Sequence, residues 1–124
     1  MKLLLVIAVG SGIGGVLRHC MQLLVYKFYP QPFPLGTFLV NILGCFLIGV
    51  FFALVDKNII GNELKFFLIT GICGGFTTFS TFSYDNIMLL KAGYLWYFIL
   101  YAAGSVILGL LATFLGTLLV KQFS

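Results

Sequence analysis

Residues 74–83 read GGFTTFSTFS, in the middle of a long, largely apolar segment of the chain. Each glycine costs an α-helix roughly 1 kcal/mol relative to alanine. The Phe, Thr and Ser that alternate after the pair are an unusual choice for a helix in lipid, yet the rest of the chain places the stretch in a membrane. Of 124 residues, 61% are hydrophobic and 8% charged, and the mean hydropathy is +1.16. A soluble domain carries roughly a quarter charged residues. A helix needs about 20 apolar residues to cross a bilayer, so this length accommodates four crossings and little else. The expected fold is an all-α integral membrane protein, a single transmembrane domain over residues 1–124 with four transmembrane helices and a break in the third. The first apolar segment is expected to remain as a span. Its apolar run is longer than that of a secretory signal, it carries Arg18, and no A-x-A-like site closes it.

The spans are placed at about 3–26, 35–55, 64–91 and 94–120. Between them, YPQPFPLG (29–36) is a proline-rich turn, DKNIIGNE (56–63) a polar loop and KAG (91–93) a tight turn. Lysines and arginines near the span ends set orientation. The side with both termini and the second loop holds Lys2, Lys57, Lys65 and Lys121, while the other holds Lys27, Lys91 and Arg18. Four against three is almost no bias. Either a few of these residues dominate and fix one orientation, or the chain inserts both ways up and pairs antiparallel with itself.

A narrow polar stripe runs along each span. Ser11, Gly14, Gly15, Arg18 and Gln22 share a face in the first, and Thr37, Asn41, Gly44, Cys45 and Gly49 in the second. In the fourth the stripe is Tyr101, Ser105, Gly109, Thr113, Gly116 and Thr117. Close packing through small residues, with hydroxyls bonding between helices, explains most of the glycines and many of the Ser and Thr. Two residues resist that explanation. Asn41 puts an amide well inside its span, where an unpaired polar group costs a few kcal/mol. Arg18 lies about one turn from mid-span, where a charge marks either a functional position or a side chain bonding carbonyls at a helix break. Cys20, Cys45 and Cys73 match no metal spacing and read as small buried residues. With His19 the only histidine, a zinc site or a Ser-His-Asp catalytic set has no raw material.

Gly71, Gly74 and Gly75 weaken the middle of the third span, which is longer than a plain crossing requires. Non-helical backbone at this depth survives only where protein or a cavity satisfies its polar groups. Carbonyls freed at such a break are what transporters and channels use to hold Na⁺. Beyond the break, Phe79, Phe82, Ser83 and Asn86 share one face and Thr78, Thr81 and Asp85 another, with Ser80 between them. Spans one, two and four hold no carboxylate at mid-membrane, and Asp85 lies past the centre of the third. A cation path would want acidic rings or carbonyls along its length. The side chains on offer are instead an amide, hydroxyls and phenyl rings, whose edges are electropositive. Phe79 and Phe82 can turn ring edges towards an anion, and Asn41, Thr37, Ser80 and Ser105 can donate hydrogen bonds to it. That lining suits a small, hard anion. Ordinary apolar packing is the competing explanation for a Phe pair three residues apart.

With these residues assembled, the chain resembles the CrcB/Fluc fluoride channels. GGFTTFSTFS (74–83), GGVLR (14–18) and GTFLVNILG (36–44) match that family's motifs, and the similarity covers essentially the whole chain. The resemblance implies a dual-topology homodimer, two copies antiparallel in the bacterial inner membrane. Its two pores would export F⁻ passively and lower the toxicity of cytoplasmic fluoride. The pore phenylalanines fall on Phe79 and Phe82 and the pore asparagine on Asn41, with Ser80 beside them in the lining. A polar track falls on Thr37, Tyr101 and Ser105, and a vestibule arginine on Arg18. The resemblance also implies one structural cofactor, a central Na⁺ held by backbone carbonyls of Gly74 and Thr77 from both subunits. Two positions depart from the family: Gly109 stands where the track commonly continues with a hydroxyl, and Asp85 where Glu is frequent. The implied partners are fluoride, a second copy of the chain and the lipid bilayer, with no nucleic acid.

Rival functions lack their required residues. A small four-span multidrug exporter needs a membrane-embedded carboxylate in its first span, and there is none. An enzyme needs a nucleophile with its base, or a metal set. A proton-coupled fluoride carrier needs a titratable group in the path, for which Asp85 is the sole candidate. The residues favour a passive channel.

Overall fold

The structure is a computed structural model describing residues 1–122, and among these residues it is all-helical. The elements are α1 (Lys2–Phe28), α2 (Leu35–Asp56), α3 (Asn62–Lys65), a π-helical stretch over Phe66–Cys73, α4 (Gly74–Phe76), α5 (Phe79–Lys91) and α6 (Leu95–Gln122). The pieces from α3 to α5 form one segment, Asn62–Lys91. With α1, α2 and α6 it makes four helical segments long and apolar enough to cross a membrane.

Two helix ends are built the same way. At the end of α5, Gly93 takes φ +84, its N–H donates to the Leu90 carbonyl at 3.2 Å and Tyr94 N–H donates to Leu89 at 2.9 Å. This is the paired bonding that closes a helix through a left-handed residue. After α2, Asn58 (φ 58) fills the same role, with Asn58 N–H on Val55 at 2.9 Å and Ile59 N–H on Leu54 at 3.0 Å. Asparagine tolerates that conformation better than any β-branched residue. On the side of the molecule shared by the start of α1 and α3, Lys2 Nζ meets Glu63 Oε1 at 3.0 Å. That pair is exposed and therefore contributes little.

Burial runs opposite to that of a water-soluble bundle. Val16 is 64% and Leu110 70% exposed, and many other large apolar side chains also face outward. The buried positions of α1 are Gly10 and Gly14, and those of α6 include Gly109, Ala112 and Gly116. Without a hydrophobic drive between helices in lipid, small residues let backbones meet and van der Waals contact holds them together. The seam between α2 and α6 shows this. A β-carbon on Gly49 would strike the Thr113 carbonyl, and one on Gly116 the Phe46 carbonyl. Thr113 Oγ1 bridges the same seam by donating to the Cys45 carbonyl at 3.0 Å.

Within the third segment, helical dihedrals give way at Thr77 (φ −79, ψ 157) and Thr78 (φ −151, ψ 122), both extended. The glycine pair expected to interrupt the helix is itself helical, within α4. Its role is close approach: a β-carbon on Gly75 would collide with the Ser11 carbonyl of α1. The two extended residues are threonines, β-branched and well disposed to that backbone. Phe66–Cys73 is wound as a π-helix, a form that is rare and found frequently at functional sites.

A candidate ion pathway

Where α4 gives way to α5, the backbone of Thr78 is satisfied from α2. Asn41 Nδ2 donates to the Thr78 carbonyl at 3.1 Å, and Thr78 N–H donates to Asn41 Oδ1 at 2.8 Å. One side-chain amide thereby replaces both partners that a continuous helix would have supplied. Thr78 Oγ1 caps α5 by accepting from Thr81 N–H at 3.3 Å, and Thr77 Oγ1 donates to the Cys73 carbonyl at 2.9 Å. Gly44, one turn along α2 from Asn41, makes room for this arrangement, since a β-carbon there would overlap the Thr77 methyl.

Beside this junction lies an open recess of ≈ 280 Å³, its walls including Asn41, Cys45, Thr77, Phe79, Phe82 and Ser105. The ring centroids of Phe79 and Phe82 are 5.8 Å apart, and Phe82 is 4.9 Å from Tyr101. The three aromatics thus form a ladder from α5 to α6. The Ser105 hydroxyl oxygen is buried and has no hydrogen-bond partner. A hydroxyl can both donate and accept, so this group has capacity for a further partner. Tyr101, fully buried, donates from its hydroxyl to Asp85 Oδ2 at 3.0 Å.

A second recess, of ≈ 440 Å³, lies beyond Tyr101. Asp85, Thr81, Thr37, Gln22 and His19 line it together with residues of the proline-rich turn. Gln22 Nε2 donates to Thr37 Oγ1 at 3.1 Å. The turn is anchored by Phe33, whose ring meets Phe38, Tyr97 and Tyr101 edge-on at 5.8, 5.6 and 5.7 Å.

The residues singled out from the sequence therefore fall into groups. Asn41, Thr77, Phe79, Phe82 and Ser105 share the first recess, Thr37 lines the second, and Tyr101 stands between the two. Ser80 is exposed on the first turn of α5, 3.4 Å from the Thr78 hydroxyl, and lines neither recess. Arg18 is half-buried on α1 and also lines neither, the α1 residues of the second recess being His19, Gln22 and their neighbours. Gly74 is exposed on α4. The three cysteines do not share one environment: Cys73 is buried, Cys45 half-buried against the first recess, and Cys20 exposed in an apolar groove that α1 forms with α2 and the third segment. Thr78, Gln22 and Phe33 were not assigned to the site from the sequence. Phe33 had a cue in its place between two prolines, where a large apolar side chain needs a reason.

Four apolar helices with their large side chains outward make this a multi-pass membrane protein, and the aromatic-walled recess beside the helix junction, apolar but for a few hydroxyl and amide groups, is consistent with a channel. The profile of the family described as "CrcB-like protein, Camphor Resistance (CrcB)" matches residues 5–117, and the chain belongs to that family. It is 48% identical over 123 residues to a protein of Flavobacterium psychrophilum, covering 98% of this chain and 99% of that one. It is 50% identical over 116 residues to one of Phocaeicola vulgatus, covering 94% and 96%. It is 42% identical over 120 residues to one of Aquifex aeolicus, covering 96% and 97%. Each of these relatives is named a fluoride-specific ion channel, FluC. The family is one of ion channels, not of enzymes.

Proposed function

We propose that this chain is a passive, fluoride-selective channel of the bacterial inner membrane, working as an antiparallel homodimer with two pores and lowering cytoplasmic fluoride. The observation that supports this most directly is the first recess, walled by Phe79 and Phe82 and lined also by Ser105, whose buried hydroxyl has no hydrogen-bond partner. A dehydrating anion exchanges its water for that hydroxyl, for ring edges and for the Asn41 N–H not used on Thr78. None of these is a full charge, so binding stays weak enough for the ion to leave. The recess is open to one side, and Phe79, which lines it, is 78% exposed. A second copy of the chain would supply the missing wall. The nearly even distribution of Lys and Arg supports insertion in both orientations.

The resident cation of this reading is a central Na⁺. Among the described residues no group of three or more His, Cys, Asp or Glu is placed to hold a metal, so the ligands of such an ion would be neutral oxygens, a set that suits a hard monovalent cation. Thr78 N–H is committed to Asn41, so the Gly74 carbonyl loses the donor four residues ahead that a continuous helix would give it. Carbonyls of Gly74 and Thr77, one pair from each copy, would hold the ion. When bound, it supplies positive charge that offsets the cost of an anion in low dielectric.

Expression in a bacterium deprived of its own fluoride export tests the reading. Growth on fluoride should be restored by the parent chain and not by Asn41→Asp. Failure of correctly inserted parent protein to restore growth contradicts the proposal.

A further inference from the structure

We propose that Cys45 is a lining residue of the anion path whose thiol takes the place of the side chain that Gly109 lacks, an inference that rests on the channel reading above. Tyr101, Ser105, Gly109 and Thr113 follow one another at four-residue intervals along α6 and so form one stripe. Three of the four carry a hydroxyl, and Gly109 carries nothing. A β-carbon built on Gly109 would meet a single atom within 4 Å, Sγ of Cys45 at 3.4 Å. The sulfur from α2 therefore stands beside the gap that the glycine leaves in α6.

One hydroxyl holds the two positions in register. Thr113 Oγ1 lies 3.0 Å from the Cys45 carbonyl and 3.1 Å from the Gly109 carbonyl, its single proton shared between the two acceptors at this level of the seam. Cys45 is a free thiol and half-buried, and it lines the same recess as Asn41, Phe79, Phe82 and Ser105. The donors of the stripe are not all available. Tyr101 is committed to Asp85 and Thr113 to two carbonyls, whereas Ser105 has no partner. Among the described residues, the side-chain donor beside the Gly109 gap, one turn further along from Ser105, is the Cys45 S–H. A thiol is a weak donor and a polarisable one, consistent with a site that an ion must also leave. The competing explanation is that Cys45 merely fills volume beside a glycine.

Initial rates of fluoride efflux from liposomes separate the two, using the full chain and variants that elute as monodisperse protein. Cys45→Ala should slow efflux roughly three- to tenfold, the range expected for one lost hydrogen bond. Cys45→Ser, which keeps a donor, should run faster than Cys45→Ala. The double variant Cys45→Ala with Gly109→Ser should recover most of the loss, because a hydroxyl then enters the gap from the other helix. Cys45→Ala with Gly109→Ala refills volume without a donor and should remain slow. An undiminished rate in Cys45→Ala, or equal recovery by the Ala and Ser replacements of Gly109, overturns the inference in favour of packing. If Cys45→Ala does not yield folded protein, Cys45→Thr against Cys45→Val makes the same comparison at equal volume, and equal rates overturn the inference. A parent protein that moves no fluoride sinks the channel reading itself, a result that no pattern among the variants can mimic.

Discussion

Asn41 on α2 holds both backbone groups of Thr78 in the third segment, N–H to Oδ1 at 2.8 Å and Nδ2–H to the carbonyl at 3.1 Å. The two residues are 37 apart in the chain, and their pairing satisfies the backbone where the helix is interrupted. Removing the amide with Asn41→Ala should cost about 1–3 kcal/mol for each backbone group left unpaired, read as a lowered thermal unfolding midpoint in detergent. Asn41→Asp should nearly abolish fluoride flux. It sets a carboxylate against the Thr78 carbonyl and puts an acceptor where the path needs a donor. Normal flux in Asn41→Asp would remove Asn41 from the pathway.

The ring ladder makes a separate claim. Phe79→Ile and Phe82→Ile keep apolar bulk and lose the electropositive edge. Each should lower fluoride flux roughly three- to tenfold, the scale of aromatic contributions beyond burial, while size-exclusion behaviour stays that of the parent. Phe82 also abuts Tyr101 at 4.9 Å, so its replacement should be the more disruptive of the two to stability. If both single variants and the double variant conduct like the parent, the ring-edge argument is wrong.

Tyr101 and Asp85 form a pair whose members should not act independently. Tyr101→Phe removes the hydroxyl bonded to Asp85 at 3.0 Å and leaves the carboxylate on the wall of the second recess with Thr37 as its remaining side-chain partner. Fluoride flux should fall by repulsion. Asp85→Asn in the Tyr101→Phe background should recover part of the loss, since residues in contact show non-additive effects of about 0.5–3 kcal/mol. Strict additivity in this double-mutant cycle would place Asp85 outside the path.

Antiparallel pairing predicts dependence on a partner of opposite orientation. One variant with extra lysines in loops 29–36 and 91–93, and another with extra lysines in loop 56–63, should each insert one way up. Each alone should be inactive, and co-expression should restore fluoride resistance. Activity of either alone contradicts an obligate antiparallel dimer.

The four helices were legible in the sequence because their ends are punctuated chemically. Three prolines between Phe28 and Leu35, the run DKN at 56–58 and Gly93 each mark a boundary that the structure places within a residue or two. The glycines of the third segment were harder to read. Glycine serves equally to loosen a helix and to admit a neighbouring backbone, and sequence spacing does not distinguish the two uses. Gly75 serves the second, against Ser11, and the extended residues are Thr77 and Thr78. The π-helical winding over Phe66–Cys73 left no cue, since its wider turn has no residue preference that an apolar run would show. That Phe79 and Phe82 lie on one helical face was readable from their spacing. Contacts made across helices were not: the partner of Asn41 and the position of Cys45 opposite Gly109 depend on how α2 meets its neighbours.

The most direct test is passive efflux from liposomes holding the purified protein, loaded with KF or KCl, with valinomycin carrying the compensating potassium. Fast fluoride release with little chloride release, unaffected by an imposed proton gradient, is the predicted result. Release of neither ion, or fluoride release only when a proton gradient is imposed, would contradict the channel and point to a carrier in which Asp85 takes part.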